Sequence, residues 1–247
     1  GSEPSSPERA IPRILHQTYP TAAVPPRISG LLETWRRQNP NWEVRFWDDA
    51  ACEAFVRDSF PAYYTAYRGL PKDVERADFF RYMVVLKHGG VYADVDTECR
   101  TPMDELLLPD DTFVAGWENE FPTAAKAIRR HYIRKRQILQ WTFAAAPGHP
   151  ALKAVCDRVN DNYDHIFSNN TNRDTLERTG PGVWTDVLVD YALNVPLPAR
   201  AGGARARNPH QDGGQLAWSP PPPPSPPRVH AGGAGGGFRR FRGGCLR

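Results

Sequence analysis

Long apolar stretches are missing from this chain. Nowhere does a run of about eighteen apolar residues occur, and no charged segment followed by an apolar one opens it, so the sequence itself holds neither a membrane span nor a signal peptide. Cysteine pairs are missing too. Cys52, Cys99, Cys156 and Cys245 are widely spaced with no Cys-x-x-Cys among them, which excludes a zinc knuckle or a dithiol redox motif and leaves a secretory-pathway disulfide open. Basic residues in excess are missing from the body. Residues 199 to 247 hold eight arginines against one acid, Asp212, so the net charge of +3 belongs to that segment and the remainder is mildly acidic. Duplex binding needs a positive surface on the folded domain, so no nucleic-acid partner is expected. An RNA-associated role for the Arg/Gly-rich segment is the rival, and the body lacks the aromatic motifs that would accompany it.

What is present fits one catalytic domain: 247 residues with 40% apolar and 24% charged content can bury one substantial core. Gly1-Ser2 reads as a cleavage scar and residues 1–10 as linker; 11–198 form the domain; 199–247, rich in Gly, Pro and Arg, read as a low-complexity, disordered tail. Within the domain, strand-like and helix-like segments alternate, the pattern of an α/β fold. A short strand begins at Ile14-Leu15, a helix covers Ile28 to Gln38, and Trp42 to Trp47 alternates as a strand does. Asp48 caps a helix through Phe55 and Val56. Pro71 and Asp73 open a longer helix with Phe80, Met83, Val84 and Leu86 on its apolar face, ended by Gly89-Gly90. Val91 to Asp96, Thr112 to Trp117 and Gln140 to Ala145 are predicted strands, and Pro150 to Tyr163 and Thr185 to Tyr191 predicted helices. Asn169-Asn170-Thr171 is an N-glycosylation acceptor pattern.

The strand period of two puts Tyr92, Asp94 and Asp96 on one face and Val91, Ala93 and Val95 on the other. Two carboxylates thus project together at a strand end, where α/β sheets collect ligands. Like charges so placed call for a cation between them, and a hard divalent ion such as Mn²⁺ or Mg²⁺ bound by two carboxylates keeps positions open for a diphosphate. Asp-x-Asp by itself is a common surface pattern. Asp78 and Arg81, three apart on the preceding helix, share a face; they are either an exposed ion pair of little worth or a clamp for sugar hydroxyls and phosphate.

Together, Ala77-Asp78-x-x-Arg81-Tyr82 and Gly89-Gly90-Val91-Tyr92-x-Asp94-x-Asp96 closely resemble the signature of the glycosyltransferase family 32 sugar-binding region. That family includes initiating α-1,6-mannosyltransferases of fungal N-glycan outer chains and the mannosyl- or galactosyltransferases of sphingolipid synthesis. The opening Ile11-Pro12-Arg13-Ile14-Leu15-His16-Gln17-Thr18-Tyr19 also looks like the family's first strand, with Tyr19 where Trp is usual. The resemblance covers about residues 11 to 193. It implies a GT-A fold, a nucleotide-sugar donor and Mn²⁺, with Asp94 on the donor's ribose or sugar and on the metal, Asp96 as the firmer metal ligand, Asp78 and Arg81 on the sugar, and Tyr19 against the base. His16, Gln17 and Tyr92 fall on donor-binding positions, His16 with a structural role equally open.

Trp117 and Glu118, and Gly180 and Pro181, look like family segments on the acceptor side, although tryptophans in cores and Gly-Pro turns are as ordinary a reading. Arg129 to Arg136 is a basic run: a solvated face, or a contact for acceptor or phosphate. Relatives commonly finish with His then Ser-Trp; here Val229-His230 runs into a Gly-rich stretch, and His230 is the candidate late metal ligand. The implied reaction is retaining hexosyl transfer, with GDP-mannose first and UDP-galactose or another UDP-hexose second, to a glycan or glycolipid. The implied setting is the Golgi lumen, as the catalytic part of a type II membrane protein anchored outside this sequence. A nucleotide-sugar-binding module without turnover is the competing reading.

Overall fold

The computed structural model describes residues 9–168, 170–194, 228–231 and 238–240, the last two stretches by backbone alone. In chain order the elements are β1 (Ile14–Thr18), α1 (Pro26–Gln38), β2 (Glu43–Trp47), α2 (Asp49–Ser59), α3 (Pro61–Gly69), α4 (Asp73–His88), β3 (Gly90–Ala93), β4 (Thr97–Cys99), α5 (Met103–Leu106), β5 (Phe113–Glu120), α6 (Ala124–Arg129), β6 (Arg136–Ala145), α7 (Pro150–Asp161), α8 (Thr171–Arg178), α9 (Pro181–Asn194), β7 (Arg228–Ala231) and β8 (Phe238–Arg240). The main sheet runs β2-β1-β3-β6-β5-β7, and β4 pairs with β8 in a separate ribbon. β1 is parallel to both β2 and β3, whereas β6 is antiparallel to β3 and β5. The sheet is therefore mixed, with helices on both faces, an α/β architecture. No helix of the described residues is long and apolar enough to cross a membrane.

Alternation along the strands divides the core. Tyr92, Phe113 and Phe143 point to the face covered by α4, α7 and α9, while Leu15, Val91, Val114 and Ala144 point to the face covered by Trp35 of α1 and Met103 of α5. The chain leaves β1, crosses through α1 to β2, then returns on the other side of β1 as β3. That reversal makes the gap between the carboxyl ends of β1 and β3 the switch point at which open sheets bind ligands.

Helix α4 is buried all round rather than along one stripe: every residue from Phe79 to Leu86 is buried, between the sheet and the α2, α3 and α7 layer. Gly89 (φ 66°) and Gly90 (φ 98°) turn the chain from α4 into β3. A Cβ on Gly90 would stand 2.3 Å from the Ile14 carbonyl oxygen, so both backbone angle and close approach to β1 require glycine here.

β3 stops at Ala93 instead of running through Asp96. The Thr97 amide donates to the Asp94 carbonyl at 3.1 Å, closing a turn over Asp94 to Thr97 before β4 begins. Elsewhere the predicted elements are found with shifted ends, and α3, β4, α5, α6 and α8 are additions. Asn170 caps α8 by accepting from the amides of Asn172 and Arg173, whereas Asn169 lies outside the described residues. In the segment after 198 the described residues form two short strands, β7 and β8. β7 aligns parallel to β5 and β8 antiparallel to β4, pairings that draw on the backbone groups of an open edge and require no apolar side-chain core. Among the described residues Cys52, Cys99 and Cys156 are buried free thiols, and Cys245 lies outside them.

Candidate active site

At the β1/β3 switch point, α4 delivers a buried guanidinium between two carboxylates. Arg81 Nη2 donates to Asp78 Oδ1 at 2.9 Å and Arg81 Nη1 lies 3.2 Å from Asp94 Oδ1; Asp78 and Arg81 are 5% and 6% exposed. The exposed-pair alternative for Asp78 and Arg81 is thereby excluded. Arg81 Nη1 also approaches the Gln140 carbonyl at 3.3 Å, and the guanidinium lies 4.8 Å from the centroid of the Tyr92 ring. Its Nε has no acceptor among the described residues, a donor left over in a buried place. Tyr92 Oη donates to Asp94 Oδ1 at 3.1 Å, and burial holds the phenol well above its ordinary pKa, so it remains a donor.

Asp78 Oδ2 accepts from Thr179 Oγ1 at 3.1 Å. Burial pushes its pKa up to about 7, Arg81 pulling it down and Asp94 adding to the rise. One guanidinium shared by two carboxylates does not balance both, so the second negative charge in this trio is only loosely held.

A layer behind the trio escaped the sequence reading. Glu75, fully buried, accepts from Arg178 Nη1 and Thr175 Oγ1, each at 2.8 Å. The Thr179 carbonyl accepts from Tyr82 Oη at 2.8 Å and Gln140 Nε2 at 3.0 Å. These bonds tie α8 to α4 and so position Thr179 against Asp78. The available signal was spacing: Glu75, Asp78 and Arg81 recur every three residues along one helix.

The trio lines a cleft of about 1220 Å³, together with Glu118, Gln140, Trp141 and Pro181. Glu118 is held by Gln137 Nε2 at 2.7 Å and Trp141 Nε1 at 3.3 Å. Pro181 is the first residue of α9. Gly180 is buried against α8, where a Cβ would meet Leu176 Cα at 2.8 Å, so its smallness serves helix packing. Trp117 faces away from this lining and carries the Arg136 guanidinium 3.8 Å over its ring. Asp96 and Tyr19 are half-buried. Tyr19 packs with Val95, the residue between the two aspartates, and with Ile28 and Leu32, so the end of β1 and the Asp94–Asp96 turn share one small apolar cluster.

His16 and Gln17 are buried in the sheet. Trp47 Nε1 donates to His16 Nδ1 at 3.3 Å, leaving Nε2–H to donate to the Gly89 carbonyl at 3.0 Å, a neutral ring in a core role. The Gln17 side-chain amide has no hydrogen-bond partner among the described residues. Burial pulls the His16 pKa down from 6.5 to about 4, with Arg45 and His88 adding to the fall. On acidification the unfolded chain takes up this proton first, so stability is expected to drain between pH 6.5 and about 4, by roughly 3 kcal/mol at the lower end. In a proton NMR titration the His16 ring should stay neutral down to about pH 5; titration near 6.5 would place it in solvent instead.

Among the described residues no cluster of three or more His, Cys, Asp or Glu side chains is placed to hold a metal. Asp94 and Asp96 nevertheless offer hard oxygen donors two residues apart on a turn, a set that suits a cation completed by substrate oxygens. His230 stands on β7 opposite Gly116, and its side chain lies outside the described residues.

Residues 25–114, which contain Asp78, Arg81, Asp94 and Asp96, match the family model of the glycosyltransferase sugar-binding region containing the DXD motif. The chain carries a glycosyltransferase sugar-binding region. Two curated relatives bear the name initiation-specific α-1,6-mannosyltransferase. That of Candida albicans is 27% identical over 217 residues, 78% of this chain and 56% of the relative. That of Schizosaccharomyces pombe is 33% identical over 174 residues, 64% of this chain and 43% of the relative. The chain thus spans about half the length of the curated relatives it matches. Among solved structures, PaToxG glycosyltransferase superposes with a TM-score of 0.53 at 17% identity, over 73% of this chain and 70% of that one, which shows the GT-A fold around the sugar-binding region.

Proposed function

We propose that this chain is the catalytic part of a metal-dependent retaining hexosyltransferase, taking mannose from GDP-mannose to a glycan hydroxyl. The observation that carries the reading is Arg81 held between Asp78 and Asp94 in the cleft at the β1/β3 switch point, with its Nε unspent. The mannosyltransferase relatives favour mannose as the sugar.

Asp94 and Asp96 would hold Mn²⁺ or Mg²⁺, which when bound supplies Lewis-acid neutralisation of the diphosphate leaving group. The chain's own side chains do the rest. The Arg81 guanidinium, fixed in place by its two carboxylates, lines the cleft with its charge already positioned for phosphate or sugar oxygen. Asp78, with a pKa near neutrality, accepts from sugar hydroxyls or donates as an acid. Tyr19, at the edge of the turn, borders the base. Glu118 and Pro181 line the opposite side, where the acceptor enters. The acceptor oxygen bonds to the anomeric carbon as the carbon–phosphate-oxygen bond breaks, and the acceptor's proton leaves with the diphosphate. An α product from an α-linked donor requires retention, here by attack on the face from which the diphosphate departs. The proposed setting is the lumen of the secretory pathway.

Calorimetric titration with GDP-mannose, UDP-galactose, GDP and UDP, each with Mn²⁺ and with a chelator, tests the reading. Guanine nucleotides should bind only with metal. Uracil nucleotides binding in their place would move the donor to a UDP-hexose, and no binding by any of the four would sink the assignment.

A further inference from the structure

Thr179 stands one step behind the cleft. It closes α8 and is fully buried, whereas its partner Asp78 lines the cleft itself. The Thr179 hydroxyl has a single proton and two acceptors within reach, Asp78 Oδ2 at 3.1 Å and the Thr175 carbonyl at 3.4 Å. That carbonyl already accepts from the Thr179 amide at 3.2 Å and from the Gly180 amide at 3.0 Å, so the shorter bond to the charged oxygen takes the proton. With Arg81 Nη2 on Oδ1, the two oxygens of Asp78 each have a donor, one from α4 and one from α8, and the plane of the carboxylate is fixed.

The hydroxyl is itself held in place from other elements. Tyr82 Oη of α4 and Gln140 Nε2 of β6 donate to the Thr179 carbonyl at 2.8 and 3.0 Å, and the Tyr82 ring stacks on Trp184 of α9 with centroids 5.1 Å apart. The neighbouring Arg178 donates from Nη1 to Glu75 at 2.8 Å and from Nη2 to the His165 carbonyl at 2.7 Å. Glu75, Asp78 and Tyr82 recur at helical spacing, so the end of α8 is docked in register along one face of α4. A threonine that only needed its hydroxyl satisfied would bond back to the carbonyl four residues earlier, as threonines within helices do. Here the bond crosses instead to a carboxylate of the candidate site.

We infer that Thr179 is a positioning residue for the sugar of the donor: acting through Asp78, it sets the direction from which that carboxylate accepts sugar hydroxyls, and it leaves recognition of the nucleotide untouched. A carboxylate accepts best near its own plane, and one braced on a single side can turn that plane away. Bracing from both sides holds the acceptor geometry before the sugar arrives. The segment whose Gly180 and Pro181 were expected on the acceptor side thus also serves the donor. This rests on the transferase reading above, in which Asp78 meets the sugar.

The test is calorimetric titration with GDP-mannose, GDP, UDP-galactose and UDP, all with Mn²⁺, on wild type, Thr179→Val and Thr179→Ser. Thr179→Val keeps the shape and removes the donor, and Thr179→Ser keeps the donor. For whichever sugar nucleotide the wild type binds, Thr179→Val should weaken binding by at least about tenfold while the parent nucleotide changes by less than about twofold, and Thr179→Ser should stay within about threefold of wild type. Equal loss for sugar nucleotide and parent nucleotide, or a Thr179→Ser protein as weak as Thr179→Val, would leave the residue a purely structural role and overturn the inference. Thr179→Ala is judged by the same criteria if Thr179→Val does not fold. Wild-type binding that the substitution leaves intact overturns this role alone, whereas a wild type that binds none of the four overturns the transferase reading and this role with it.

Discussion

Arg81→Met should destabilise the fold by about 3–5 kcal/mol, the cost of leaving buried carboxylates without their counter-charge. Asp78 and Asp94 share this one guanidinium, and Asp78 is 5% exposed, so water does not replace it. Part of the loss should be recovered on acidification, because Asp78 already titrates near pH 7 with the arginine in place and would take up its proton more readily without it. Urea denaturation of wild type and variant at pH 5 and pH 8 reads both effects. A variant as stable as wild type at pH 8 would mean the ion trio contributes nothing to the fold. Arg81→Lys keeps the charge but not the fork, and should fold while losing nucleotide-sugar affinity.

Asp96→Asn is expected to separate chemistry from folding. Its side chain sits in the turn outside the trio and is half-buried, so the melting temperature should move by no more than about 4 °C. Under the proposed mechanism, sugar transfer should fall by about 10²–10³-fold, since a firm ligand for the charge-neutralising cation is gone. The same variant should bind GDP no better with Mn²⁺ than with a chelator. Transfer at wild-type rate would remove Asp96 from the site.

How far the site could be read in advance differs from residue to residue. The Asp78/Arg81 spacing and the paired aspartates were legible because helix and strand periods are local properties of the chain. That Asp78 and Arg81 are buried was not, since they are covered by Thr179, Gln140 and Tyr92 from distant parts of the chain, and no local pattern records which neighbours cover a helix. The strand expected through Asp96 failed at a particular place. Val95 fits the alternation, but Thr97 bonds back to Asp94 and closes a turn first. His16 stood beside donor-site residues in sequence, while pairing of β1 with β2 placed Trp47 where it engages the ring. The helices α3 and α8 are short, and only Pro61 and Asn170 at their starts marked them.

Thr97 has one further attachment. Trp35, fully buried on α1, donates from Nε1 to the Thr97 carbonyl at 3.1 Å and to its Oγ1 at 3.2 Å, and that hydroxyl donates in turn to the Asp94 carbonyl at 2.5 Å. The Asp94–Thr97 turn is therefore suspended from an indole more than sixty residues earlier in the chain, on the opposite face of the sheet from α4. Helices on opposite faces of the sheet thus both hold Asp94, the first of the acidic pair, α1 through Thr97 and α4 through Arg81. Slackness introduced in the α1 layer, by heat or by a smaller side chain at Trp35, would loosen the pair's aim before the rest of the molecule melts, and conditional loss of function would map to a helix with no chemistry of its own.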